Sequence, residues 1–157
     1  MPPVISLVTG AGGFVGAHLV RHLTEQGDEV IEMERTVDGI DIADAEPVTE
    51  AIMAAKPRAV YHLAGASDVG GSWSAPTETF LANAVGTLNV LEAARAAGAD
   101  RVLAVTSADV YGRVAADELP LSEDRPLRPV SPYAASKVAA DALAQQAWLG
   151  HRLPVIR

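Results

Sequence analysis

Val4-Ile5-Ser6-Leu7-Val8-Thr9-Gly10-Ala11-Gly12-Gly13-Phe14-Val15-Gly16 is the stretch that decides the fold of this chain. Val4 to Val8 is short, apolar and partly β-branched, the pattern of a buried strand. Glycines at 10, 13 and 16 then permit a tight turn, let backbone N–H groups come close to a pyrophosphate, and allow a helix to pack on the strand. That helix reads from Phe14 to Gln26, with Phe14, Val15, Leu19, Val20 and Leu23 at helical spacing and Gly27 closing it. Its first turn presents unpaired N–H groups and a partial positive charge, which suits phosphate. Glu29–Met33 reads as a second strand, ending at Glu34, which lies 21 residues beyond Gly13. A glycine trio alone is weak evidence. Placed after the first strand, opening a helix and followed at that distance by an acid, it points to dinucleotide binding.

Further along, Pro47–Ala55 reads as a helix, Ala59–Leu63 as a strand, Thr79–Ala97 as a long helix and Val102–Thr106 as a strand. Ser131-Pro132 opens a helix to about Leu149, and Pro154–Ile156 reads as a last strand. Repeated β-α-β alternation gives an α/β fold, a doubly wound parallel sheet of Rossmann-like type, with residues 1–157 forming one dinucleotide-binding domain. The seven residues from Glu34 to Asp41 are too few for a crossover. Any strand at Gly39–Ile42 must therefore pair irregularly or follow a loop.

Composition narrows the function. The chain has 157 residues, 12 Lys and Arg against 20 Asp and Glu, a net charge of −8, and no cysteine. The acidic balance argues against nucleic-acid binding. No apolar run reaches the roughly 18 residues of a membrane span. Without cysteine there are no disulfides or thiolate metal sites, which suits a cytoplasmic enzyme. His18, His22, His62 and His151 do not form a metal set, since the pair at 18 and 22 lacks a third ligand. The cofactor's phosphate state stays open. Glu34 suits the two ribose hydroxyls of NAD, whereas Arg35 suits the 2′-phosphate of NADP or is a solvated loop arginine.

The second informative stretch is Tyr133-Ala134-Ala135-Ser136-Lys137. Residues four apart share a helix face, so the tyrosine hydroxyl and the lysine ammonium can meet in one site. A free tyrosine titrates near pH 10, and a nearby cation lowers that value, which prepares Tyr133 for acid–base work. Ser107 directly follows a strand, at the sheet edge where ligands of such folds bind.

The motifs together resemble the extended short-chain dehydrogenase/reductases that act on nucleotide sugars, the NAD-dependent epimerase/dehydratase family. The matching segments are the glycine turn, Asp41-Ile42, His62-Leu63-Ala64-Gly65, Asn83-Ala84-Val85-Gly86-Thr87, Thr106-Ser107-Ala108-Asp109-Val110-Tyr111-Gly112 and Ser131 through Lys137. The resemblance implies Ser107, Tyr133 and Lys137 as the catalytic set, with Tyr133 as acid or base, Lys137 holding ribose, and Ser107 polarising the sugar oxygen. It implies Asp41 on the adenine amino group, Ile42 against the ring, Leu63, Ala64 and Gly65 beside the cofactor, Asn83 near the adenosine or supporting that wall, and Thr106 in the cofactor site. Ser72 and Trp73 fall where substrate sugar passes.

Within the family, the short segment 34–41 and the run from Leu121 to Tyr133 look most like GDP-4-keto-6-deoxymannose reductases. A dehydratase usually carries glutamate at the place of Asp109, one methylene longer, and a 4-epimerase is not usually acidic there. Reductase therefore ranks before dehydratase and epimerase. A short cofactor-binding module without catalysis is the rival of another class. Family members are about twice this length, so the substrate-binding portion is expected to be missing from this chain. Helices 79–97 and 133–149 carry more apolar and small residues than one face needs, and the resemblance implies a homodimer through them.

Overall fold

β1 spans Ile5–Thr9 in a computed structural model that describes residues 3–157. The glycine turn leads into α1 (Phe14–Glu25) and then β2 (Glu29–Met33). A helical turn, α2 (Arg35–Asp38), and a loop lead to α3 (Ala45–Ala55) and β3 (Ala59–His62). Beyond a long connection come α4 (Pro76–Phe80), a π-helical turn (Leu81–Val85) and α5 (Gly86–Ala97), in unbroken succession. β4 (Arg101–Ala104), α6 (Pro132–His151) and β5 (Val155–Ile156) complete the described chain.

All five strands are parallel, in the order β2-β1-β3-β4-β5. This is the doubly wound α/β sheet the sequence predicts. Neighbouring residues in β1 show why both faces need cover, because successive side chains point to opposite sides. Leu7 joins a cluster with Ile52 of α3, Leu91 of α5 and Ala147 of α6. Val8 packs instead with Leu23 and Leu19 of α1. Complete burial of side chains such as Leu7, Ile52 and Leu91 stabilises the fold by roughly 1.5–3 kcal/mol each before entropy is counted. On the α1 side, cover is partial: Tyr61 and Leu103 are half-buried, and Val105 and Ile156 are exposed.

The structure resolves the open segment and corrects two helix starts. No strand forms at Gly39–Ile42. Instead the Asp38 carboxylate accepts from the N–H groups of Glu34 at 2.9 Å and Ile40 at 2.8 Å, curling the chain into α2. These local bonds satisfy the backbone without a strand partner. The long helix starts at Pro76 rather than Thr79 and contains the π turn around Asn83. The helix expected from Pro47 begins at Ala45. α6 starts as expected, with Pro132 in its first turn and the Ser131 hydroxyl accepting from Ala134 N–H at 3.0 Å.

Candidate active site

β1 hands the chain to β2 on one side, while β3 lies on the other. The carboxyl ends of β1 and β3 therefore part at the point where the winding reverses. A cleft of about 670 Å³ opens there. Gly10, Gly12, Gly13, Phe14, Val15 and Gly16 form one wall, Glu34, Arg35, Asp41 and Ile42 a second, and Leu63, Ala64 and Gly65 a third. All of these, including Gly12, Phe14 and Val15 of the glycine turn, are residues the sequence places at the cofactor. Met33, Thr36, Ile40, Ala66, Ser67 and Ala82 also line it and were not foreseen.

The turn has no room for side chains at its two ends. Gly10 sits at φ +70°, and a Cβ there would stand 2.8 Å from the Ala64 backbone nitrogen. A Cβ at Gly16 would collide with the carbonyl oxygens of Gly10 and Ala11. Backbone N–H groups are thus what this wall offers, which fits the phosphates of a dinucleotide. Glu34 Oε2 accepts from the Gly12 N–H at 3.0 Å, so its carboxylate stands beside the turn. Arg35 donates to Asp41 at 3.2 Å across the mouth of the cleft, with 71% of its side chain exposed. The Asp41 carboxyl is held below its ordinary range by the Ala43 N–H and, against some desolvation, by Arg35. Ile42 is buried and lies against Gly86 of α5, where a Cβ would come within 2.8 Å of it. Asn89, a residue sequence reasoning passed over, fixes this segment by donating to the Ile42 carbonyl at 2.9 Å.

Lys137, Tyr133, Asn83 and Thr106 lie outside the lining of that cleft. Lys137 is 8% exposed, and its Nζ donates to the Val105 carbonyl at 3.2 Å. The same nitrogen is 3.7 Å from the position a Gly65 Cβ would take, which sets the ammonium against the cleft's rim. Burial lowers the pKa of Lys137. Tyr133, one helical turn earlier, is also buried. Ser107 stands two residues beyond the carbonyl that Lys137 holds, and its Oγ accepts from the Asp109 N–H at 3.2 Å. That bond caps a 3₁₀ turn, Ala108–Tyr111.

A smaller cleft of about 310 Å³ brings Asp109 and Trp73 together with Val69, Gly112, Val130, Ser131 and Ala134. Trp73 is exposed there. Ser72 is not: it is 1% exposed, donates to the Val69 carbonyl at 2.7 Å and accepts from the Tyr133 N–H at 3.2 Å. Its hydroxyl therefore anchors the start of α6 instead of facing a substrate path. Asn83 is likewise a wall support. Its Oδ1 accepts from Ala66 N–H at 2.8 Å, and its Nδ2 donates to the Ala66 carbonyl at 3.0 Å and to Ser136 Oγ at 2.9 Å. Thr106, expected to end the strand, is half-buried two residues beyond the end of β4. His62 is a satisfied interior histidine, between Thr9 Oγ1 at 2.8 Å and Thr87 Oγ1 at 3.0 Å. Its pKa is pushed down to about 3 by burial and by the Lys137 charge. Among the described residues no three His, Asp or Glu side chains gather to hold a metal, and no helix is long and apolar enough to cross a membrane.

A glycine-walled cleft at the switch point, with the buried Lys137 ammonium against its rim and Tyr133 one helical turn away in sequence, agrees with sequence comparison. The model of the NAD dependent epimerase/dehydratase family matches residues 6–156. The chain belongs to this family. It is 37% identical over 155 residues to a UDP-glucose 4-epimerase of Mycolicibacterium smegmatis, covering 87% of this chain and 49% of that one. It is also 37% identical over 145 residues to the GDP-6-deoxy-D-mannose reductase of Pseudomonas aeruginosa, covering 88% and 45%. Among solved structures, DesIV, a dTDP-glucose 4,6-dehydratase from Streptomyces venezuelae with NAD and TYD bound, superposes with a TM-score of 0.85. It shares 31% identity over 97% of this chain and 54% of its own. RMD from Pseudomonas aeruginosa, complexed with NADPH, gives 0.84 at 34% identity over 97% and 52%. The chain spans about half the length of the curated relatives it matches.

Proposed function

We propose that this chain forms the cofactor-binding and proton-transferring part of an NAD(P)-dependent oxidoreductase that works at C4 of a nucleotide-linked sugar. The observation that carries the reading is the placing of buried Lys137 on the Val105 carbonyl, against the Gly65 rim and one turn from Tyr133. NAD or NADP fits the 670 Å³ cleft, with Gly10, Gly12, Gly13 and Gly16 at the phosphates, Glu34 at the adenosine ribose and Asp41 and Ile42 at the adenine. Bound there, the nicotinamide supplies or takes a hydride. The protein's part is to manage the proton. Tyr133 gives its hydroxyl proton to the sugar oxygen, or takes it back in the reverse direction, and Lys137 holds fixed positive charge beside it. Ser107 accepts at Oγ from Asp109 N–H, which leaves its own proton to donate to the same sugar oxygen and steady the charge that develops there.

Within the family, reduction of the C4 ketone of GDP-4-keto-6-deoxymannose is the preferred reaction. Asp109, in the smaller cleft with Trp73, supports this over dehydration, because the shorter carboxylate reaches less far toward C5. The second reading is 4-epimerisation, favoured by the equal identity to the Mycolicibacterium enzyme. A homodimer through the helices at 79–97 and 133–149 is part of the proposal, supported by the exposed Phe80, Leu81, Trp148 and Leu149. Light scattering during gel filtration tests it, and a monomer at working concentration refutes it.

Tyr133→Phe tests the chemistry. It removes the proton but not the ring, so turnover falls by about 10²–10⁴-fold while NAD(P)H binding is retained. Unchanged turnover refutes the assignment of Tyr133. NADPH oxidation with GDP-4-keto-6-deoxymannose, set against interconversion of UDP-glucose and UDP-galactose, separates reductase from epimerase.

A further inference from the structure

Beneath the two clefts a chain of buried polar groups crosses the molecule, and each proton in it has a direction. Thr87 Oγ1 donates to the Asn83 carbonyl at 2.6 Å, which uses its only proton. Its oxygen must therefore accept from His62 at 3.0 Å, and this requires the hydrogen of the imidazole to be on Nε2. His62 Nδ1 is then the acceptor, and Thr9 Oγ1 donates to it at 2.8 Å. Thr9 in turn accepts from the Ala64 N–H at 3.2 Å, in the cleft wall. At the far end, Asn83 Nδ2 donates to Ser136 Oγ at 2.9 Å, and Ser136 donates to the Tyr133 carbonyl at 2.6 Å. Thr9, His62, Thr87, Asn83 and Ser136 are all buried, and every buried side-chain polar atom among the described residues has a partner.

The bonds form two runs that meet at Asn83 in the π turn: its backbone carbonyl takes the Thr87 proton at the end of the run from the glycine strand, and its side-chain amide starts the run to the helix turn of Tyr133 and Lys137. A π turn puts an extra residue into a helix, and this one brings Asn83 to face both Ala66 and Ser136. We propose that Thr87 and His62, the latter as the neutral Nε2–H tautomer, are positioning residues: through Asn83 and Ser136 they set α6, and with it Tyr133 and Lys137, against the cofactor wall. This rests on the assignment of Tyr133 and Lys137 as the working pair. A fully satisfied buried network has one low-energy arrangement, and reversing a single member leaves a donor without an acceptor. If His62 carried a second proton, Nδ1–H would face Thr9, and the Thr9 proton would lose the acceptor it has.

Thr87→Val keeps the shape of the side chain and removes both bonds, whereas Thr87→Ser keeps them. The full-length enzyme carrying Thr87→Val loses about tenfold or more in kcat, with KM and NAD(P)H affinity within about twofold, because reacting groups are misplaced without loss of binding surface. Thr87→Ser restores kcat to within about threefold of wild type. Independently of activity, the backbone amide resonances of Ser136 and Lys137 shift in Thr87→Val and return in Thr87→Ser. Long-range nitrogen–proton correlation on wild type reads His62 as the Nε2–H tautomer, and this holds even if Thr87→Val does not fold. An Nδ1–H tautomer, unmoved amides of α6, or wild-type kcat in Thr87→Val overturns the proposal. Tyr133→Phe run in parallel separates the two ideas. Full activity there refutes the underlying assignment, whereas its loss beside an active Thr87→Val refutes the positioning role alone.

Discussion

His62 makes the fold sensitive to acid in a way that one substitution removes. In the folded chain its pKa is pushed down to about 3, first by burial and then by the Lys137 charge. Released in the unfolded chain, it titrates near 6.5. Below that value the unfolded state binds a proton that the folded state refuses, so the contribution of His62 is whole above about pH 6.5. It falls as pH drops and is exhausted below about pH 3. At pH 5 the unfolded imidazole is about 97% protonated and the folded one about 1%. Linkage then sets the loss between pH 7 and pH 5 at about 2 kcal/mol. Asp41 and Glu118, whose carboxyls are held below their ordinary range, act in the same direction, but their losses fall mainly below pH 5. His62→Gln keeps a polar group at the site but cannot titrate. Urea unfolding at pH 7 and pH 5 should show wild type losing about 2 kcal/mol more than His62→Gln between the two. A variant with the same pH dependence as wild type would refute a neutral, buried His62.

Two further substitutions probe the cofactor wall. Gly16→Ala forces a methyl group onto the carbonyl oxygens of Gly10 and Ala11, and overpacking of this kind costs about 1–3 kcal/mol. Its melting temperature falls and NAD(P)H binding, read by fluorescence, weakens; unchanged values would mean the turn has room. Arg35→Ala breaks an exposed pair with Asp41, so stability changes by less than about 1 kcal/mol. It weakens NADPH binding more than NADH binding, and an equal effect on both would place the guanidinium away from the 2′ position.

What could be read from the sequence followed from how local each signal is. The glycine turn, the first helix and Glu34 lie within one strand–turn–helix–strand unit, and spacing alone brings them together; the structure puts all of them on one cleft. The short segment after Glu34 was legible only as a difficulty. Its solution depends on Asp38 bonding two backbone N–H groups, a local competition between side chain and ladder that hydrophobic pattern does not report. Ser72 misled for the opposite reason. A serine in a Gly-Gly-Ser-Trp loop reads as exposed, and only the meeting of that loop with α6 turns its hydroxyl inward to the Tyr133 N–H, 61 residues away in sequence.

The same distinction explains the silent residues. Thr9, Thr87 and Ser136 lie inside the matching segments but carry no sign there of what their hydroxyls hold, because a buried threonine in a strand or helix is indistinguishable in sequence from one packed for its methyl group. Their roles exist only because β1, β3, the π turn and α6 meet, joining partners 53 residues apart in two places. Motif residues mark where chemistry is expected, whereas the placing of the helix that carries them involves ordinary hydroxyls, some of whose partners, as in Thr9–His62 and Asn83–Ser136, are distant in sequence. The fold therefore does more than hold Tyr133 and Lys137 on one helix face, which i, i+4 spacing already gives. Two runs of hydrogen bonds that meet at Asn83 connect the glycine strand to α6, and on the proposed assignment they tie the position of Tyr133 to the wall of the cofactor cleft.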